Sequence, residues 1–93
     1  MNTFPLRITS PEGDLFCADA LKISLRGTEG DLAVMAGHVP FVTAVRPCDC
    51  KVETEDGVRF AHTDGGLLTV MRDRTIFLAG SFVWKDGEQT KSV

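Results

Sequence analysis

The chain has 93 residues, with 10 Lys+Arg against 13 Asp+Glu for a formal charge of −3, and is 43% hydrophobic and 25% charged. That length leaves room for one domain with one modest core and excludes a two-lobed enzyme with a cleft between lobes. The balance is that of an ordinary globular domain, neither a disordered tail nor a membrane protein. The basic residues are scattered singly, which excludes a phosphate-tracking surface, and nucleic acid is not an expected partner.

The N-terminus, Met1-Asn2-Thr3-Phe4-Pro5, has neither the basic start nor the apolar run of a signal peptide. Apolar stretches such as Leu32 to Gly37 fall far short of the ~18 residues that a spanning helix requires. A cytosolic chain with no direct membrane insertion is expected. Three cysteines are an odd number, so reduced thiols are the better expectation than a disulfide framework.

Strand-type alternation begins at once. Phe4, Leu6 and Ile8 interleave with Pro5, Arg7 and Thr9, and Leu21, Ile23 and Leu25 interleave with Lys22, Ser24 and Arg26. Cys48, Cys50 and Val52 interleave with Asp49, Lys51 and Glu53. Turn signals separate these runs at residues 11–14, 27–30, 37–40, 55–57, 64–66 and 72–74, a spacing of about ten residues. With no helix-length amphipathic window, the pattern predicts an antiparallel all-β sandwich or barrel forming a single domain over 4–84, followed by a frayed polar tail over 85–93.

The Glu55-Asp56-Gly57 turn also predicts a register. A three-residue loop sets Thr54 opposite Val58, Glu53 opposite Arg59, Val52 opposite Phe60 and Cys50 opposite His62. That pairs apolar with apolar and acid with base. A two-residue loop, taken to oppose Glu53 to Phe60 and Val52 to Ala61, mixes the faces, so the longer loop is preferred. The runs Gly66–Met71 and Thr75–Ala79 are apolar on both faces, so one face packs the core and a second sheet or another protein must cover the other.

Chemistry-bearing constellations are few. Cys48, Cys50 and His62 fall on one face in this register and are the one set with metal-ligand residue types, but small thiols filling a core explain them better. No Gly-x-Ser-x-Gly is present, and neither Cys17 nor Ser81 has an activating base nearby in sequence. Gly27-Thr28-Glu29-Gly30-Asp31 lacks the Lys-Ser/Thr of a phosphate loop. Neither an enzyme nor a bound cofactor is expected. Residues 27–41 remain, with Glu29, Asp31 and His38 around Leu32-Ala33-Val34-Met35. They are a β-corner between sheets or a binding loop on a rigid scaffold, and composition leaves both open.

Gly27-Thr28-Glu29-Gly30-Asp31-Leu32-Ala33-Val34-Met35-Ala36-Gly37-His38-Val39-Pro40-Phe41-Val42-Thr43-Ala44-Val45-Arg46-Pro47 resembles the signature of the epsilon subunit of F-type ATP synthases, G-x-E-G-E-L-G-I-x-P-G-H-A-P-L-L-T-x-L-x-P. Phe4–Gly13 with Phe16, Gly65–Val70 and Thr75–Ala79 are similar to flanking strands of that family, so the resemblance runs over residues 4 to 80 in one register. It departs at Ala33, Ala36 and Cys48, which stand where the family has glycine, proline and glycine.

The resemblance implies an antiparallel β-sandwich of about ten strands acting as a non-catalytic rotor subunit. Its implied partners are the gamma subunit and the polar loops of the membrane c-ring, with the catalytic head reached indirectly. The implied place is peripheral, on the cytoplasmic face of a bacterial membrane. Carried onto this sequence, the ring-facing positions are Glu29, Gly30 and Asp31, then His38, Val39 and Pro40. An interfacial carboxylate there adds orientation more than affinity. The outer apolar face near Leu67 and Phe77 is taken as gamma-facing. Family members continue into a two-helix hairpin, and a chain without one is expected to lack helical inhibition of hydrolysis. The competing expectation is a free-standing metal- or ligand-binding sandwich built on Cys48, Cys50 and His62.

Overall fold

The computed structural model describes residues 2–85. Ten strands follow one another: β1 (Phe4–Ser10), β2 (Gly13–Ala20), β3 (Lys22–Gly27), β4 (Gly30–Met35), β5 (Phe41–Val45), β6 (Cys48–Thr54), β7 (Gly57–Thr63), β8 (Gly66–Val70), β9 (Thr75–Ala79) and β10 (Phe82–Trp84). They pair in the order β10-β7-β6-β3-β5-β8-β9-β1-β2, with β4 on the other edge of β3. The predicted tail, apart from Lys85, lies outside the described residues.

Every predicted turn spans a break between strands, although its outer residues, such as Gly13, Gly27, Gly30, Gly57 and Gly66, belong to the strands themselves. The sheet is mixed and not purely antiparallel as expected: β1 runs parallel to β9, with Leu6 beside Thr75 and Ile8 beside Phe77. Hairpin connections force antiparallel neighbours, but β1 and β9 are joined by no hairpin, so turn signals carry no information on their relative direction. The two ends of the strand order then come together, giving a nearly barrel-like sandwich. Trp84 of β10 donates its indole N–H to the Leu15 carbonyl of β2 at 3.4 Å and tilts against Phe16 at 6.1 Å.

The inward residues of each strand form one core. Leu6, Ile8, Ile23, Val34, Val52, Leu68 and Phe77 are buried in it. Thr63 is also buried, and its hydroxyl is satisfied by donating to the Ser81 carbonyl at 2.7 Å and accepting the Gly65 N–H at 3.1 Å.

The β6–β7 hairpin corrects the predicted register. Its loop has two residues, Glu55 and Asp56, with Thr54 opposite Gly57, Val52 opposite Arg59, Cys50 opposite Ala61 and Asp49 opposite His62. The Thr54 hydroxyl accepts the Asp56 N–H at 3.1 Å, which tightens the turn, and Gly57 takes the positive φ of +135° as the first residue of β7. Small Ala61 and Thr63 therefore face the core, while Val58, Phe60 and His62 lie on the other face. Arg59 carries its guanidinium out over the Trp84 ring, 3.7 Å from the centroid.

The outer face of β8 and β9 is apolar as expected, but its residues differ. Leu67 and Leu78 are cross-strand partners that stay 42% and 51% exposed. Phe77, assigned to that face from the sequence, is fully buried and edge-on to Phe82.

Candidate functional site

The acid-bearing turn is the tip of the β3–β4 hairpin. Gly27 pairs with Gly30 around Thr28 and Glu29, and Gly30 lies at φ +128°, where a side chain is strained. A Cβ at Gly27 would meet Leu32 Cδ2 at 2.8 Å. Two residues into the strands, the Arg26 guanidinium donates from Nε to Asp31 Oδ1 at 2.8 Å. Both side chains are exposed, so the pair holds the carboxylate at the tip with little cost in desolvation.

His38, Val39 and Pro40 are all exposed and leave the opposite end of β4, about 17 Å from Gly30 at 3.3 Å per residue. Gly37 turns the chain there with φ +84°, and the His38 N–H donates to the Met35 carbonyl at 3.3 Å. The imidazole packs 5.1 Å from the Phe41 ring, with Nδ1 3.3 Å from the Val39 carbonyl. The two sets of ring-facing candidates thus do not touch. β5 runs back between them, from Phe41 beside His38 to Val45 beside Gly27. Phe41, Val42 and Thr43 share a cleft of about 330 Å³ with the hairpin tip.

Exposed apolar side chains surround this edge: Val39 is among the ring-facing positions already named, whereas Met35 and Val42 were missed by sequence reasoning. Met35 is 52%, Val39 70% and Val42 61% exposed. The signal available for Val42 was its alternation with Phe41 and Thr43, which are less exposed. On the outer face of the sheet, Ala44 pairs with Leu67 and Leu67 with Leu78, so an apolar row continues from β5 to β9.

The metal reading loses its geometry. Cys48 and Cys50 point into the core, whereas His62 is exposed on the far side of the sheet, 3.0 Å from Asp49 Oδ1. Burial pushes the Cys50 thiol up to about 12, with the neighbouring Cys48 adding to it, so it stays protonated and poor as a ligand. No group of three metal-ligating side chains occurs among the described residues. Asp49 also accepts from Lys85 Nζ at 3.3 Å, and hydrogen bonds from His62 and then Lys85 hold its carboxyl below the usual range.

The chain matches the sequence model of the family described as ATP synthase, Delta/Epsilon chain, beta-sandwich domain, over residues 3–85. It is 33% identical over 79 residues to the "ATP synthase epsilon chain, sodium ion specific" of Propionigenium modestum, covering 85% of this chain and 58% of the relative. It is 29% identical over 87 residues to the ATP synthase epsilon chain of Clostridium perfringens, covering 92% and 65%. The chain therefore spans about three fifths of the length of these relatives. Its fold is similar to a chain of the Euglena gracilis mitochondrial ATP synthase, solved as OSCP/F1/c-ring, with a TM-score of 0.83 at 23% identity, covering 97% of this chain and 61% of that one. A chain from the central stalk/c-ring structure of Tetrahymena thermophila mitochondrial ATP synthase gives a TM-score of 0.79 at 11% identity, covering 91% and 69%.

Proposed function

Because the chain belongs to the ATP synthase delta/epsilon beta-sandwich family, we propose that it is a non-catalytic central-stalk subunit. In this role it joins the gamma shaft to the c-ring so that both turn together during proton- or sodium-driven ATP synthesis. It works from the cytoplasmic face of a bacterial membrane.

The observation that carries this reading is the pairing of a rigid body with two presented edges. The sandwich is closed by Trp84 against β2, which supports a body that carries torque from one face to the other. One edge is the β3–β4 tip, where Asp31 is held by Arg26 and Glu29 is exposed. A carboxylate fixed at a tip orients a basic loop of a partner such as the c-ring. The other is the apolar row of Ala44, Leu67 and Leu78 on the outer sheet face, which suits the long-lived contact with gamma. Leu78 takes the place in this contact first assigned to Phe77.

His38, Val39 and Pro40 complete the ring-facing set, with Phe41 as the link between the loop and the hairpin tip. The test is affinity copurification of the tagged chain with gamma and c-ring. Recovery of both supports the assignment, and recovery of neither removes it.

A further inference from the structure

A second feature lies at the end of the sandwich where β4 and β8 stop. A recess of about 230 Å³ opens between the β4–β5 loop and the β8–β9 turn, with Arg72, Arg74 and His38 on its rim. Phe4, Val34 and Val70 of the buried core back it, and Met35, half exposed, is the apolar side chain it presents. The turn is closed by the Met71 N–H donating to the Arg74 carbonyl at 2.8 Å, which fixes where both arginines leave the backbone.

Arg7, Arg26, Lys51 and Lys85 each have a carboxylate within 3.8 Å. Arg72 has no ion-pair partner among the described residues. Arg74 has only its neighbour Asp73, at 4.0 Å. Lys22 and Arg46 also lack a carboxylate partner among the described residues, so what sets Arg72 and Arg74 apart is that they share one recess. The chain as a whole carries −3, so two under-compensated guanidinium groups on one small recess are a local reversal of sign.

We propose that this recess binds an acidic segment of a partner protein, taking a carboxylate between Arg72 and Arg74 and an adjacent apolar side chain against Met35. Guanidinium groups bind carboxylates in a forked geometry, and the exposed Met35 side chain favours a ligand with hydrocarbon beside its charge. A membrane surface is disfavoured, since adsorption of that kind uses clusters of roughly four to eight basic residues and the net charge here repels anionic lipid. The proposal shares His38 with the ring-facing loop but is independent of which partner that loop meets.

The test uses the full 93-residue chain in an amide-detected NMR titration. The probes are the capped peptide Leu-Glu-Glu-Leu, its uncharged counterpart Leu-Gln-Gln-Leu, sodium phosphate, and vesicles with one third phosphatidylserine. The expected result is saturable shifts at Gly37, His38 and Met71 with the acidic peptide, and affinity about tenfold weaker in the exposed-site double variant Arg72→Gln/Arg74→Gln. Equal binding of the uncharged peptide, undiminished binding in the double variant, or a preference for phosphate or vesicles each overturns it. A matching Arg46→Gln variant, altered beside Arg26 at the far end of the sandwich, is expected to bind like the parent chain. Copurification with gamma and c-ring is read separately, so failure here is distinguishable from failure of the rotor assignment.

Discussion

Arg26 and Asp31 face each other across the β3–β4 hairpin with Nε 2.8 Å from Oδ1, so the first acid of β4 is held by a neighbour in its own hairpin. An exposed pair of this kind contributes about 0.2–1 kcal/mol to folding. Asp31→Asn is therefore expected to leave the urea midpoint almost unchanged while weakening association with the c-ring. Arg26→Gln keeps the Asp31 carboxylate but frees its orientation and is expected to give a smaller loss. A large drop in midpoint for either variant would show that the pair is structural and not presented.

Gly65 and Gly37 separate backbone need from backbone convenience. Gly65 lies at φ +101°, and a Cβ there would collide with the Val45 carbonyl oxygen, whereas Gly37 lies at φ +84° with open space around it. Gly65→Ala is expected to cost about 3 kcal/mol or more, and Gly37→Ala about 1 kcal/mol. Urea unfolding followed by the fluorescence of the single Trp84 measures both, and equal costs would contradict the geometry.

Phe77 and Leu78, adjacent on β9, have opposite roles. Phe77→Ala removes a fully buried ring and is expected to destabilise by about 3–5 kcal/mol. Leu78→Ser, with Leu67→Ser on the paired position, is expected to leave stability nearly intact and to weaken capture of gamma. Loss of gamma binding only in variants that also unfold would remove the apolar row as the gamma-facing surface.

Much of this was legible in the sequence. Alternation alone placed Leu6, Ile8, Ile23, Leu25, Cys50 and Val52 in the core, because one face of each strand must leave water. Turn residues marked where each strand stops. What alternation could not decide was a register one residue away. Phe60 and His62 looked like core partners for Val52 and Cys50, yet the two-residue loop turns Ala61 and Thr63 inward instead, and the Cys-Cys-His constellation disappears with that change. The parallel β1–β9 pair was equally out of reach, since no local signal links strands so far apart in the chain. Phe77 was misplaced because both faces of β9 are apolar, and periodicity cannot tell inside from outside when nothing polar alternates. Arg72 and Arg74 drew no notice as scattered basic residues; only the fold sets them over the same recess as His38.

Two exposed carboxyls contribute to the acid limb of stability. Asp14 is held below its usual 3.8 mainly by a hydrogen bond from Arg7, and Asp49 by hydrogen bonds from His62 and Lys85. Each folded-state value is depressed, so the unfolded chain binds protons first. The stabilisation is complete above pH 3.8 and is lost as pH falls through the folded values. Asp14→Asn/Asp49→Asn is expected to flatten stability against pH below about 4. An unchanged acid slope in urea titrations at pH 2.5–5 would contradict it.

Coupling is the central claim, and it is measured most directly as ion pumping per ATP hydrolysed in vesicles holding the synthase assembled with or without this chain. The account predicts that pumping is restored by the parent chain and only partly by a variant carrying Asp31→Asn and Leu78→Ser, with hydrolysis continuing in both. Full pumping in vesicles that lack the chain altogether would contradict it.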